Sequence, residues 1–217
     1  MEVANGILTP SQLRMLQIIF AKGAEDASRT LSKWLRSGVR LSVDAVEQVP
    51  LRVATGMLGP DDSMVIACAM GLTGKLRGTL VVAFEQESGL ALADILMGRP
   101  LGTSRQWGEL ERSAALETTN IVGCAYLNSL SSHLPDSCGP GEMIPSPPEL
   151  HQDFAASLLE TLLMEQALVS DQVLVIRSQF TRDQTQLCWH LMLVPDLESL
   201  GQVVGALSEI HSRMESR

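Results

Sequence analysis

Residues 113–124 read Ser113-Ala-Ala-Leu-Glu117-Thr-Thr-Asn120-Ile-Val-Gly-Cys124, within a helix predicted from about Gly108 to Leu134. Four residues of this stretch are spaced by four, three and four positions, which places them on one helical face: Ser113, Glu117, Asn120 and Cys124. Residues that can pack inward lie on the other side: Ala115, Thr119, Val122, Tyr126 and Leu130. The stretch predicts a rigid helix that presents an acid and a carboxamide side by side, flanked by Leu110 and Ile121.

Two interpretations of this polar face are open. Glu and Asn on an amphipathic helix are commonly no more than its solvated side. Asn is a mediocre helix former, however, and Asn120 is followed by two β-branched residues and a glycine at 121–123. This local cost to helix stability indicates a role beyond helix formation.

Helix and strand signals alternate along the rest of the chain. Thr9-Pro10-Ser11-Gln12 has the residues of a capping box and should start a helix that Gly38 ends after about Ser37. The apolar runs Val39–Val46 and Leu51–Met57 predict one strand or two, divided at Pro50. The further predictions are strands Met64–Leu72, Gly78–Phe84, Gln172–Phe180 and Gln186–Val194, helices Gly89–Met97, Glu149–Ala167 and Asp196–Ser212, and a loop or irregular edge at Pro135–Pro148.

The order of these elements repeats. Residues 10–98 and 108–212 each contain a long helix, a connection, an apolar hairpin and a short helix. We therefore expect one domain over residues 1–217, built as two copies of one unit. The fold class is α/β (α+β), with a mainly antiparallel sheet against which two long helices and shorter helices pack.

Composition excludes several classes of function. The net charge of −9 disfavours nucleic acid and anionic membranes as partners. The N-terminal residues lack the pattern of a signal peptide, and no apolar stretch is long enough to span a membrane. We expect a soluble, cytoplasmic protein.

The four cysteines, at 68, 124, 138 and 188, form no Cys-x-x-Cys pair and lie at no zinc-ligand spacing to a histidine. Cys68 and Cys188 lie inside apolar runs and are predicted to be small core residues. No metal site is expected in this chain.

The polar helix resembles that of the CheC-type CheY-phosphate phosphatases of bacterial chemotaxis. Their pattern of Asp or Ser, three residues, Glu, two residues and Asn is matched by Ser113, Glu117 and Asn120. The resemblance extends to the residues that follow, Asn-Ile-Val-Gly at 120–123, Ala-Tyr-Leu-Asn-Ser-Leu at 125–130 and Pro-Ser-Pro-Pro-Glu-Leu at 145–150, and it covers nearly the whole chain. It implies a CheC-like fold.

Two features depart from the family pattern. The family's proline should come slightly before Pro145, so Pro145 and Pro148 are both candidates, and residues 132–143 would carry a small insertion. Many members also have Glu-x-x-Asn on both long helices, but no such pair occurs between residues 10 and 37. Gln17 stands near the place of the Glu, and Phe20 or Ala21 near that of the Asn, so the first site is expected to be lost.

The resemblance implies dephosphorylation of the phospho-aspartate of a CheY-like receiver protein. Asn120 would orient the attacking water and Glu117 would pair with the receiver's lysine. Ser113 would be a secondary contact, and further partner contacts are expected at Leu110, Ile121, Pro145 and Pro148. The receiver would supply Mg²⁺, so this chain would need no cofactor of its own.

Two alternatives to this phosphatase are considered. One is a noncatalytic module that binds a receiver domain, a CheD-type deamidase or a component of the flagellar switch. The other, a small-molecule enzyme, is disfavoured because the sequence has no Gly-rich phosphate loop, no supported Ser-His-Asp order and no metal-ligand spacing.

Overall fold

The computed structural model describes residues 7–134, 142–167 and 172–215. Within these ranges the helices are α1 (Pro10–Leu35), α2 (Leu51–Met57), α3 (Gln86–Leu96), α4 (Glu109–Ser131), α5 (Ala155–Ala167) and α6 (Leu197–Glu215). The strands are β1 (Arg40–Pro50), β2 (Met64–Gly74), β3 (Gly78–Glu85), β4 (Met143–Pro145), β5 (Glu149–Phe154), β6 (Gln172–Arg182) and β7 (Thr185–Pro195).

All described strands join one antiparallel sheet, in the order β1-β6-β7-β3-β2-β4, with β5 also paired to β2. The predicted hairpins β2–β3 and β6–β7 are confirmed, and pairing of β3 with β7 unites them. The predicted fold class is thus confirmed. Duplication of one unit as the origin of the two halves stays a prediction.

Helices cover both faces of the sheet. One core cluster draws residues from α1, α3, α4 and α6, whereas a second cluster, on the opposite face, draws them from α2 and α5. Strand alternation separates the two clusters: Leu174 and Ile176 of β6 belong to the first, and Val173 and Val175 to the second. The two long helices α1 and α4 therefore lie side by side on one face.

Helix α1 begins as predicted, because Thr9 caps it and forms a reciprocal capping box with Gln12. It ends at Leu35, where Arg36 adopts a left-handed conformation with φ of 50°. Gly38 is therefore not the residue that ends the helix.

The free edge of β1 is covered by side chains of α1. Ser28 Oγ accepts a hydrogen bond of 2.7 Å from the backbone N–H of Leu41. Ser32 Oγ accepts one of 2.9 Å from the N–H of Val39 and donates one of 3.1 Å to its carbonyl. These bonds satisfy backbone groups that an edge strand otherwise exposes.

The prediction of a strand at Leu51–Met57 is wrong, because these residues form α2. Pro50 ends β1, and its ring nitrogen cannot donate to a continuing ladder. Beyond it, Ala54, Thr55 and Leu58 are buried, which is the spacing of a helix rather than of a strand.

The predicted helix Glu149–Ala167 is confirmed only from Ala155 onward. Glu149–Phe154 forms β5, which pairs antiparallel with Met64–Ala69 of β2. β3 occupies one side of β2, so the other side offers unpaired backbone groups that β5 satisfies.

The two cysteines that were predicted to be core residues, Cys68 and Cys188, differ in their exposure to solvent. Cys68 is buried, as expected, but Cys188 is exposed because it points to the side of β7 opposite the buried Leu187 and Trp189. Cys138 and most of the proposed insertion at 132–143 lie outside the described residues.

Candidate functional site

Helix α4 presents the three predicted site residues to solvent. Ser113, Glu117 and Asn120 are exposed, and they share one face of the helix. The predicted inward set is buried, which confirms the orientation of the helix: Ala115, Thr119, Val122, Tyr126 and Leu130.

Gly123 brings α4 close to the sheet. A Cβ atom on this residue would lie 2.9 Å from both Met70 Sδ and Leu80 Cδ2, so a larger residue would force these two side chains to shift. The neighbouring Val122 is completely buried in the core. Packing therefore explains the poor helix formers after Asn120, whereas Asn120 itself is exposed and has no such explanation.

A buried polar network fixes the N-terminal end of α4. Arg99 Nη1 and Ser104 Oγ donate to Glu111 Oε1 at 2.9 and 3.0 Å. The backbone N–H of Glu111 lowers the pKa of its own carboxyl group, with burial opposing the shift and Ser104 and Arg99 assisting it. Glu111 is thus held as an anion that ties the first turn of α4 to the preceding loop.

The segment 145–148 forms the opposite wall of the site. Pro145 pairs with Leu72 of β2, and the N–H of Ser146 donates a hydrogen bond of 2.8 Å to the carbonyl of Gly71. Ser146 Oγ in turn accepts a bond of 2.9 Å from the N–H of Gly71. This reciprocal pair of bonds anchors the proline-rich segment on the sheet edge.

Between helix and segment lies an open groove of about 400 Å³. Its lining residues are Ser113, Leu116, Glu117, Asn120, Pro145, Ser146, Pro147 and Pro148. Five of the seven residues predicted from the sequence are therefore brought together, and both candidate prolines are among them. The choice between Pro145 and Pro148 as the family's proline stays open.

The other two predicted residues do not line the groove. Leu110 is 60% exposed, one turn before Ser113, and Ile121 packs partly against the core. Sequence reasoning missed Leu116, Ser146 and Pro147. Leu116 could have been found, because it completes the i, i+3, i+4 set on the helical face, but the hydrogen bonds of Ser146 are a tertiary feature without a sequence signal.

Asn120 contacts a cysteine one turn along the helix. Cys124 Sγ donates to Asn120 Oδ1 at 3.6 Å. Burial, and secondly the charge of Glu117, raises the pKa of the half-buried Cys124 thiol. The thiol therefore stays protonated at neutral pH and can act as a donor.

Helix α1 has no asparagine that could correspond to Asn120. Phe20 is buried and stacks on Tyr126 with ring centroids 5.7 Å apart, so it cannot occupy a surface site. Gln17 Nε2 donates a hydrogen bond of 3.1 Å to the carbonyl of Asp44, which lies in a bulge of β1. Exposed Ile18 and half-buried Ala21 therefore face outward with the three-residue spacing of Glu117 and Asn120.

Ala21 also lines a second open groove, of about 430 Å³, between α1 and β1. The helical residues there are Ala21, Glu25, Ser28 and Arg29, and the strand residues are Arg40, Leu41, Ser42 and Val43. None of these lining residues is an asparagine, and Ala21 contributes only a methyl group to the groove.

Among residues 7–134, 142–167 and 172–215, no group of three or more His, Cys, Asp or Glu side chains is arranged to hold a metal ion. Within the same ranges, no helix has the length and apolar character needed to cross a membrane.

The chain is similar in sequence to a protein of known activity. The chain is 22% identical over 211 residues to the CheY-P phosphatase CheC of Bacillus subtilis (strain 168), covering 95% of this chain and 98% of that protein. No family model matches the chain.

Solved structures share the fold. FliY of Thermotoga maritima matches with a TM-score of 0.74 and 18% identity, over 94% of this chain and 98% of that one. FliM in the FliG–FliM complex from H. pylori matches with a TM-score of 0.66 and 16% identity, over 89% of this chain and 99% of that one. The chain is therefore similar to CheC along nearly its whole length, and it shares its fold with FliY and FliM.

Proposed function

We propose that this protein removes the phosphoryl group from the phospho-aspartate of a CheY-like receiver domain. The observation that carries the proposal is the convergence of Ser113, Glu117 and Asn120 on one open groove. The similarity to a CheY-P phosphatase over 95% of the chain supports the same reaction.

Asn120 is proposed to orient the attacking water. An aspartyl phosphate is a reactive acyl phosphate, so its hydrolysis chiefly requires a water held in line with the bond that breaks. A carboxamide can accept a hydrogen bond from that water and donate another, without being a base. Asn120 is exposed on a rigid helix and can therefore enter the receiver's active site as the two proteins dock.

Glu117 is proposed to dock the helix rather than to touch the phosphoryl group. A free carboxylate next to a phosphate would be repelled, whereas pairing with the receiver's active-site lysine would be favourable. Glu117 lies three residues before Asn120, so such a pair would fix the position of the carboxamide. Ser113, one further turn away, would contact the edge of the receiver.

The Mg²⁺ required for the reaction is assigned to the receiver, together with the aspartate that carries the phosphoryl group. The residues of the groove described above are neutral apart from Glu117, which alone is a poor site for a divalent cation. This chain would contribute the orientation of the water and the docking surface.

Phosphate release from a phosphorylated CheY-like receiver tests the proposal. Asn120→Ala should reduce kcat by about a hundredfold or more, because the water is no longer positioned. Glu117→Gln should instead raise the receiver concentration at half-maximal rate by roughly tenfold.

Two matched variants serve as controls. Asn128→Ala removes an exposed carboxamide from the same helix, and Glu160→Gln neutralises an exposed carboxylate on α5, across the sheet. Both should retain the activity of the unmodified protein. Equal rates for Asn120→Ala and Asn128→Ala, with both variants folded, would contradict the mechanism.

A noncatalytic binding module is the second candidate function. The fold is shared with FliM, which assembles with FliG in the H. pylori complex. The absence of an asparagine from α1 is compatible with a shift toward binding, to a receiver, a CheD-type deamidase or a flagellar component. Stable binding of a phosphorylated receiver without faster phosphate loss would favour this candidate.

A further inference from the structure

Cys124 is placed to control the carboxamide of Asn120. Its Sγ lies 3.6 Å from Asn120 Oδ1, one helical turn away. Asn120 is exposed, and an exposed side chain ordinarily samples several rotamers. A hydrogen bond to its carbonyl oxygen limits this freedom and distinguishes the two ends of the amide.

The orientation matters because the two ends differ chemically. The carbonyl oxygen accepts up to two hydrogen bonds, and the NH₂ group only donates. If the thiol occupies one lone pair of Oδ1, the other remains for a proton of the attacking water. The NH₂ group is then directed away from Cys124.

We propose that Cys124 is a positioning residue, whose S–H group holds the carboxamide of Asn120 in the orientation needed to align the attacking water. The proposal rests on the phosphatase function proposed above. It assigns to Cys124 no contact with the phosphoryl group and no nucleophilic role.

The surroundings of Cys124 agree with a donor rather than a nucleophile. Burial and the nearby Glu117 carboxylate raise the pKa of the thiol, so the neutral S–H form predominates at the pH of the cytoplasm. A thiolate would repel the carbonyl oxygen and would release the amide. A half-buried cysteine that merely fills space would require only a side chain of similar volume.

Kinetics of three variants separate positioning from packing. Cys124→Ala should lower kcat roughly three- to tenfold with an unchanged KM, as expected for loss of one weak hydrogen bond. Cys124→Ser keeps a donor and should restore most of the lost rate. In an Asn120→Ala background, Cys124→Ala should change nothing further, because the group that it orients is absent.

A measurement without a partner distinguishes failure of this inference from failure of the phosphatase function. The NMR signals of the Asn120 side-chain NH₂ group should shift and show rotamer averaging in Cys124→Ala. They should stay close to the original in Cys124→Ser and in the control Cys188→Ala, which alters an exposed cysteine of the sheet.

Unchanged Asn120 signals in Cys124→Ala would overturn the inference, as would equal kcat values for the alanine, serine and unmodified proteins. A different outcome would refute the phosphatase function and not the contact between Cys124 and Asn120. In that case the Asn120 signals would shift in Cys124→Ala, but the unmodified protein would not accelerate phosphate loss from any receiver tested.

Discussion

Gly23 of α1 lies so close to Tyr126 of α4 that a Cβ atom on Gly23 would be 2.9 Å from the Tyr126 Cα atom. This contact joins the two long helices and fixes the helix that carries the groove. The phenol of Tyr126 extends to β6, where its hydroxyl is 3.0 Å from Ser178 Oγ, and burial raises its pKa to about 12. One residue of α4 thus links α1 to the sheet.

Gly23→Ala should therefore destabilise the protein, although alanine favours helices. The added methyl group meets backbone rather than a flexible side chain, so the helices must separate. We expect a loss of about 1–3 kcal/mol in the free energy of unfolding, measured with urea. Gly201→Ala on α6 is the control, because a Cβ atom there meets nothing within 4 Å, and it should be neutral or stabilising.

Local sequence patterns predicted the elements that are long or strongly capped. The hairpins and the Thr9 cap depend on neighbouring residues only, and the spacing of Ser113, Glu117 and Asn120 identified the outward face of α4. Leu51–Met57 and Glu149–Phe154 were assigned wrongly, because each is only six or seven residues long and its structure depends on distant partners. β5 exists as a strand because β2 has a free edge.

In the candidate site, too, the features set by neighbouring residues could be predicted and those set by distant partners could not. The helical half of the groove follows from periodicity, but its opposite wall depends on hydrogen bonds between Ser146 and Gly71, which are 75 residues apart. The loss of the first site is inferred from the missing Glu-x-x-Asn pair and stays a prediction. The exclusion of Phe20 from that surface required its stacking on Tyr126.

Asp94 should make stability depend on pH. Burial alone would raise the pKa of this carboxyl group, but hydrogen bonds from Ser104 and Thr103 outweigh burial and lower it. Because the folded-state pKa lies below the unfolded value, the stabilisation is present above about pH 4 and is lost as the pH falls through the folded-state pKa. Asp94→Asn should cost about 1–3 kcal/mol at pH 7.

Urea unfolding at several pH values measures this dependence. The difference in unfolding free energy between the unmodified protein and Asp94→Asn should shrink as the pH falls below about 4, because Asp94 then binds a proton more readily in the unfolded protein than in the folded one. Asp61→Asn alters an exposed aspartate and should change little at any pH. A difference that is constant with pH would show that the charge of Asp94 is not what stabilises the loop before α4.

Gln17 should act as a structural residue and not as the remnant of a second site. Its side chain donates to the carbonyl of Asp44, so Gln17→Ala should lower the free energy of unfolding by about 1 kcal/mol. Phosphate release from a phosphorylated receiver should be unchanged, because the groove on α4 is left intact. A clear loss of activity without loss of stability would show that α1 still contacts the partner.

Ser146 should affect docking of the partner more than the chemical step. Ser146→Ala removes the acceptor for the N–H of Gly71 but keeps the backbone bond from residue 146 to the Gly71 carbonyl, so the wall of the groove loosens without detaching. We expect a KM for the phosphorylated receiver raised by roughly three- to tenfold, with kcat nearly unchanged. Ser157→Ala, an exposed serine on α5 across the sheet, is the matched control. A fall in kcat at constant KM would mean that the proline-rich wall positions the reacting groups rather than the partner.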